Sequence, residues 1–143
     1  LLKRFEKHLV EQNRYDELTG LANRRALDRA LMREWRRLQR SGTGFAVLAM
    51  DLDHFKEVND RFGHPAGDQM LIQVAGRLKR AAREVDLIAR VGGEEFIVLV
   101  HGNSVEGALI AAERLRAAAL QGRRATRHPL RPRGRRDPRL QHP

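Results

Sequence analysis

Two aspartates follow directly on a run of apolar residues. Asp51 and Asp53 come after residues 45–50, which read Phe-Ala-Val-Leu-Ala-Met. If this run is a buried strand, residues 51 and 53 point to one face where the strand ends, and open α/β sheets bind ligands at such edges. Two carboxylates and a backbone carbonyl suit a hard divalent cation such as Mg²⁺. Taken alone, the pattern is explained at least as well by a solvated strand end whose Asp53 caps the next helix.

Two adjacent glutamates follow a pair of glycines. Gly92-Gly93-Glu94-Glu95 stands between the apolar runs 87–91 and 96–100, which predicts a hairpin whose tight turn needs positive φ. Neighbouring carboxylates repel each other beside apolar residues, and glycines let the backbone approach a ligand closely. With the strand-end aspartates, these glutamates form a candidate two-metal centre for phosphoryl transfer.

The segment after Asp53 carries groups that suit a nucleotide. Lys56 and the free N–H groups of a helix beginning near residue 54 can bind phosphate. Asn59 can donate and accept at a guanine edge, and Asp68 can accept from its N1–H and amine, with His64 between them. The alternatives are a helix C-cap for Asn59, a loop position for His64 and dipole compensation for Asp68.

Arg83 and Asp86 are opposite charges three residues apart. The ordinary interpretation is a surface ion pair at a helix end, worth a few tenths of a kcal/mol. The sharper one is an anion site, because arginine grips phosphate with two bonds and stacks on purines.

Eight elements are predicted to position these residues. Helices are expected where apolar residues recur every three or four positions, and strands where short apolar runs are bounded by glycine. Asn23 and Ser104 are predicted helix caps. The predicted order is α-α-β-α-α-β-β-α. The helices are expected at residues 1–14, 23–40, 54–62, 66–83 and 104–120, and the strands at 45–50, 87–91 and 96–100. Leu27, Leu31, Trp35 and Leu38 are expected on one face of the second helix, and Met70, Leu71, Val74 and Leu78 on the inward face of the fourth.

Composition divides the chain in two. Of 143 residues none is cysteine, which excludes disulfides, cysteine nucleophiles and thiolate-held zinc. The net charge of +10 lies mostly in residues 121–143, which hold eight Arg and one Asp and lack apolar periodicity. With no signal peptide or membrane-spanning run, a cytoplasmic location is expected.

Four ordered segments resemble the GGDEF family, the diguanylate cyclase domains of bacterial signalling proteins. They are 16–25 (Asp-Glu-Leu-Thr-Gly-Leu-Ala-Asn-Arg-Arg), 51–60 (Asp-Leu-Asp-His-Phe-Lys-Glu-Val-Asn-Asp), 63–68 (Gly-His-Pro-Ala-Gly-Asp) and 90–96 (Arg-Val-Gly-Gly-Glu-Glu-Phe). The resemblance implies an α+β fold, a nucleotide-cyclase or ferredoxin-like palm whose central, antiparallel-containing sheet is flanked by helices. It also divides the chain into a helical linker from an upstream sensor (1–14), a GGDEF domain (15–120) and a tail that is disordered or non-native (121–143).

The family's reaction condenses two GTP into cyclic di-GMP and two pyrophosphates across an antiparallel homodimer. The resemblance implies that Asp51, the Leu52 carbonyl and Glu94 hold Mg²⁺, or alternatively Mn²⁺, with Asp53 nearby. It gives Glu95 the role of general base.

The remaining roles follow from the same resemblance. Asn59, His64 and Asp68 look like guanine and ribose contacts, and Lys56 a phosphate contact. Arg83 and Asp86 are placed like the inhibitory RxxD site that binds the product.

The resemblance ends near Leu120. The family continues with a strand that pairs with the strand before Asp51 and a helix with phosphate-binding cations, whereas residues 121–143 show neither pattern. We therefore expect a missing last strand, an exposed apolar edge at 45–50 and weak or absent turnover. The alternatives are a catalytically silent cyclic di-GMP receptor and a nucleic-acid module; specific nucleic-acid binding is not expected, since the tail lacks aromatic residues.

Overall fold

The computed structural model describes residues 1–102 and 104–121 of the chain. Eight elements follow one another in the predicted order. They are α1 (Leu2–Gln12), α2 (Arg24–Ser41), β1 (Phe45–Asp51), α3 (Phe55–Phe62), α4 (His64–Ala81), β2 (Leu87–Arg90), β3 (Glu95–His101) and α5 (Val105–Leu120). The α+β class is confirmed, while the predicted tail at 121–143 falls almost wholly outside the described residues.

The sheet is antiparallel, and its strand order among the described residues is β1-β3-β2. β2 and β3 form the predicted hairpin, in which Arg90 lies opposite Phe96. β1 pairs along its whole length with β3, so that Phe45 lies opposite His101 and Asp51 opposite Glu95. β3 is therefore the central strand, and β1 lies at an edge of the described sheet.

The core lies on both faces of β3. On one face α4 and α5 bury Leu71, Leu78 and Leu115 against Phe96, which is fully buried. On the other face, Leu27 of α2 packs with Ala89 of β2. Burying a leucine or phenylalanine side chain contributes about 1.5–3 kcal/mol, so these contacts fix the strand ends that carry the candidate site.

Residues 45–50 form the predicted strand, which is half-buried rather than buried. Ala46, Leu48 and Met50 pack against the core, while the alternate residues Val47 and Ala49 are exposed. The reason is that α2 covers the second face of the sheet over β2 and does not extend over β1. The run therefore alternates, as a half-covered edge strand does.

Helix ends confirm both predicted caps. Asn23 Oδ1 accepts a hydrogen bond from the Ala26 amide at 2.9 Å, and Ser104 Oγ accepts one from Gly107 at 3.0 Å. α4 begins at His64 rather than Ala66, because Pro65 occupies its first turn, where a missing N–H costs nothing. On α2, Trp35 is 51% exposed, so only part of the predicted face is covered.

The glycine turn differs from its prediction. Gly92 and Gly93 are not among the residues with positive φ, so the turn is not of the primed kind. It is closed instead by a hydrogen bond from the Val91 amide to the Glu95 carbonyl at 3.0 Å. Gly92 leaves space for the Glu95 side chain, as described below, whereas a Cβ on Gly93 would meet nothing within 4 Å.

Within residues 1–102 and 104–121, no helix combines the length and apolar character required to cross a bilayer. α1 confirms the predicted N-terminal helix. Its apolar residues Leu2, Phe5 and Leu9 are exposed, and its role as a linker stays a prediction.

Candidate active site

The end of β1 and the start of β3 bring acidic residues together. Because Asp51 and Glu95 are directly opposite in the ladder, their side chains lie on the same face of the sheet. The Leu52 amide donates to the Glu94 carbonyl at 3.3 Å, which sets Leu52 beside Glu94. Like charges directly opposite each other destabilise a sheet, so a cation bound here would remove a cost that the fold otherwise carries.

The donor set of this corner fits a magnesium ion. It offers carboxylates from Asp51 and Glu94 and the carbonyl of Leu52, with Asp53 two residues beyond the strand end. Within the described part of the chain, no group of three or more His, Asp or Glu side chains is arranged to hold a metal by itself. Mg²⁺ is usually held by one or two carboxylates plus substrate phosphates rather than by an all-protein cage, which agrees with this arrangement.

Gly92 makes room for the Glu95 side chain. A Cβ built on Gly92 would lie 2.7 Å from Glu95 Oε2 and 3.3 Å from its Cδ. The Glu95 carboxylate therefore folds back over the turn, in space that any other residue at 92 would occupy.

Arg90 joins this turn to the loop before α2. Its guanidinium donates from Nε and Nη2 to the Gly93 carbonyl, at 3.1 and 3.0 Å. From Nη1 it also donates to both carboxylate oxygens of Asp16, each at 3.1 Å. Sequence reasoning assigned Arg90 no role, because its two partners are defined only once the hairpin and the loop are folded together.

The surroundings of Asp16 favour the ionised form of its carboxyl group. Burial raises its pKa, but hydrogen bonds from the Thr19 hydroxyl and amide and from Arg90 outweigh this and hold the pKa of Asp16 below its usual value. The Asp16–Arg90 pair is therefore a charged link between two of the motifs.

The loop after Asp53 has a strained residue. His54 has φ 63°, the only positive φ of a non-glycine residue in the described chain, and its Nδ1 lies 3.0 Å from Glu57 Oε1. Such conformations cluster at functional sites. Lys56 follows in the first turn of α3 and is exposed, as a phosphate contact requires.

A cavity of about 510 Å³ opens beside this loop. Its wall includes Asp51, Leu52 and Asp53 on one side and Arg77 and Arg116, from α4 and α5, on the other. Asp51, Leu52 and Asp53 therefore border a space large enough for a phosphate-bearing ligand, whereas Glu94 is not among its lining residues.

The candidate guanine contacts lie where α3 meets α4. His64 and Asp68 are exposed and one turn apart on α4. Asn59 is half-buried in α3, and the Gly63 amide donates to its backbone carbonyl at 2.8 Å. Its side chain lies against Gly67, which precedes Asp68 in α4.

Arg83 and Asp86 lie at the other end of β2 from the glycine turn. The Asp86 side chain is 0% exposed, and it accepts from the amides of Arg83 at 3.2 Å and His101 at 3.4 Å. The Arg83 side chain is 54% exposed, with Nε 3.8 Å from Asp86. Asp86 thus fixes the turn, and Arg83 offers its charge to solvent.

A sequence model of the family described as "Diguanylate cyclase, GGDEF domain" matches residues 13–131. The protein therefore belongs to the GGDEF domain family, as the four motifs predicted. The match runs past residue 120, the predicted end of the domain, into residues beyond the described part.

Relatives and solved structures agree with this assignment. Diguanylate cyclase DgcP of Pseudomonas aeruginosa is 47% identical over 119 residues, covering 81% of this chain and 18% of that protein. The crystal structure of diguanylate cyclase SiaD with its activator SiaC, also from Pseudomonas aeruginosa, gives a TM-score of 0.72 at 37% identity, covering 82% of this chain and 46% of the other. The GGDEF domain of DgcB from Caulobacter crescentus, solved with c-di-GMP, gives 0.69 at 36% identity, covering 73% and 61%. This chain thus spans less than a fifth of the length of DgcP.

Proposed function

We propose that this chain is the GTP-binding and catalytic part of a diguanylate cyclase, which condenses two GTP into cyclic di-GMP and two pyrophosphates. The observation that carries the proposal is the register of β1 with β3, which sets Asp51 opposite Glu95 and Leu52 beside Glu94. Membership of the GGDEF family and the similarity to DgcP and to DgcB with c-di-GMP support it. GTP is a cytoplasmic nucleotide, which agrees with the predicted location.

Substrate binding is divided between two regions of the chain. Asn59 and Asp68 bind the guanine edge, with His64 on the same helix as Asp68, and the exposed Lys56 binds phosphate. Asp51, the Leu52 carbonyl and Glu94 would hold Mg²⁺ or Mn²⁺, which when bound neutralises phosphate charge and orients the triphosphate. These contacts position the α-phosphate, and positioning supplies most of the catalysis in phosphoryl transfer.

Glu95 is the proposed general base. The 3′-hydroxyl oxygen of one GTP forms a bond to the α-phosphorus of the other, the bond to pyrophosphate breaks, and the hydroxyl proton passes to the Glu95 carboxylate. One chain holds one GTP in this scheme, so the second nucleotide arrives on a second copy in antiparallel orientation.

Regulation is proposed at two places, the turn before β2 and the N-terminal helix α1. Arg83, with its exposed guanidinium, binds cyclic di-GMP, while Asp86 holds the turn that presents it. The exposed apolar residues of α1 support a helical connection to an upstream sensor, and the structure of SiaD with its activator shows that a relative has a protein partner.

The test is GTP turnover in Mg²⁺ by the chain and by Glu95→Gln. We expect slow turnover by the parent chain, because residues 121–143 lack the sequence pattern of the family's last strand and phosphate-binding helix. A further loss of about 10²–10⁴-fold is expected in Glu95→Gln, with GTP binding retained. The control is Glu106→Gln, at an exposed glutamate in the first turn of α5 that does not line the cavity, which should leave turnover unchanged.

The outcomes separate the proposed functions. Equal turnover by Glu95→Gln and the parent chain would contradict the proposal that Glu95 is the general base. Binding of cyclic di-GMP that is lost in Arg83→Ala, without any GTP binding or turnover, would favour the silent receptor instead.

A further inference from the structure

A tight contact joins α3 to α4 at Asn59 and Gly67. A Cβ placed on Gly67 would lie 1.8 Å from Asn59 Oδ1 and 2.8 Å from its Cγ. Both distances are far inside van der Waals contact, so no residue with a side chain fits at 67 while Asn59 keeps its position.

Backbone conformation does not explain this glycine. Gly67 lies within α4 and is not among the residues with positive φ. Glycine in a helix is less stable than alanine, so its presence at a buried helical position calls for another reason. The space that it leaves for the Asn59 carboxamide is that reason.

In the structure, the oxygen end of the carboxamide faces position 67. Asn59 Oδ1 is buried and has no hydrogen-bond partner among the described residues. It is the atom nearest to position 67, whereas Nδ2 lies further away, at 3.3 Å from the same point. With the oxygen enclosed, the amide nitrogen is the group left to donate to a ligand. The next residue after Gly67 on α4 is Asp68, which is exposed.

We propose that Gly67 is a positioning residue for guanine recognition: its missing side chain seats the Asn59 carboxamide so that the amide nitrogen and Asp68 act on one base. This inference rests on the proposed function, because it deepens the role given there to Asn59. A methyl group at 67 would turn the carboxamide out of its seat and remove a donor from the base.

The binding test compares Gly67→Ala with Gly76→Ala by calorimetry with GTP and Mg²⁺. Gly76 is the matched control, because it lies on the same helix and its Cβ would meet only the flexible end of Arg80, at 3.4 Å. We expect the Kd for GTP to rise about tenfold in Gly67→Ala, as for the loss of one hydrogen bond, and to stay unchanged in Gly76→Ala. Unchanged affinity in Gly67→Ala would overturn the inference.

A second measurement tests the steric contact between position 67 and the Asn59 side chain without any nucleotide. In an Asn59→Ala background, the added methyl of Gly67→Ala enters space that the carboxamide has left, so the double variant should melt at or above the temperature of Asn59→Ala. In that background Gly67→Ala should also cause no further loss of GTP affinity. A double variant that melts below Asn59→Ala overturns the steric assignment.

The two measurements keep the two proposals apart. A parent chain that binds no GTP contradicts the proposed function, while the melting comparison still decides whether Gly67 seats Asn59. A parent chain that binds GTP, with affinity equal in Gly67→Ala, contradicts the positioning role alone.

Discussion

Arg90 shows how one side chain can connect motifs that are far apart in sequence. Its four hydrogen bonds end on the Gly93 carbonyl and the Asp16 carboxylate. Arginine suits this position because its planar fork serves two partners at once, which lysine cannot reproduce. The turn that carries Glu94 and Glu95 is therefore held from outside the hairpin.

The Asp16–Arg90 ion pair makes the free energy of unfolding depend on pH. Since the folded-state pKa of Asp16 is below its ordinary 3.8, its contribution is fully present above that value and is lost as the pH falls through the folded-state pKa. We expect Asp16→Asn to lower the free energy of unfolding by about 1 kcal/mol at pH 7. The gap between the parent and the variant should close below pH 3.8, as measured by urea denaturation from pH 7 downward.

The control for this experiment is Glu84→Gln. Glu84 is an exposed carboxylate without a hydrogen bond or ion pair in the described part of the chain, so its variant should follow the parent at every pH. A gap between parent and Asp16→Asn that stays constant from pH 7 to pH 3 would contradict the linkage.

For single residues, sequence spacing predicted which charged side chains belong to the candidate site, but not which residues hold them in place. The aspartates of a strand end and the glutamates of a hairpin turn are predicted to meet, and the register sets Asp51 opposite Glu95. Gly67 and Arg90 act through contacts with residues 8 and 74 positions away. No local pattern encodes such distances.

In the described sheet, β1 has one edge without a strand partner. Val47 is 49% exposed on the uncovered face of this edge strand, and exposed apolar edges associate with one another. We expect Val47→Lys to slow aggregation at micromolar concentration, measured by light scattering, while the free energy of unfolding changes by less than about 0.5 kcal/mol.

The matched variant is Ile110→Lys, because Ile110 is also an exposed β-branched residue, 60% exposed, but lies on α5. It adds the same charge away from the strand edge and should aggregate at the parent rate. If both lysine variants slow aggregation equally, net charge rather than the β1 edge is the cause.

Element order was predictable because apolar periodicity and turn residues are local signals. The caps at Asn23 and Ser104 belong to this class. The predicted start of α4 is too late because the prediction treats Pro65 as an interruption of the helix. Proline is also favoured in the first turn of a helix, which is where Pro65 lies. Coverage of β1 could not be predicted, since it depends on where α2 and α5 pack.

For the whole molecule, charge is unevenly distributed along the chain. Residues 121–143 carry eight Arg and one Asp, and so most of the net +10. Non-specific binding to polyanions scales with such charge and weakens with salt. We expect a chain ending at residue 121 to elute from heparin at clearly lower NaCl than the full chain, with GTP affinity unchanged. Equal elution would place the polyanion contact within residues 1–121.

Because β1 pairs with β3, there is a delay during synthesis between the appearance of β1 and that of its partner strand. Partner residues in these strands are about 50 positions apart, and ribosomes add about 5–20 residues per second. The first strand therefore leaves the ribosome roughly 3–10 s before its only described partner has been made. During that interval the amides of β1 lack their partners on β3, so translation speed sets how long this apolar strand stays unpaired on the nascent chain.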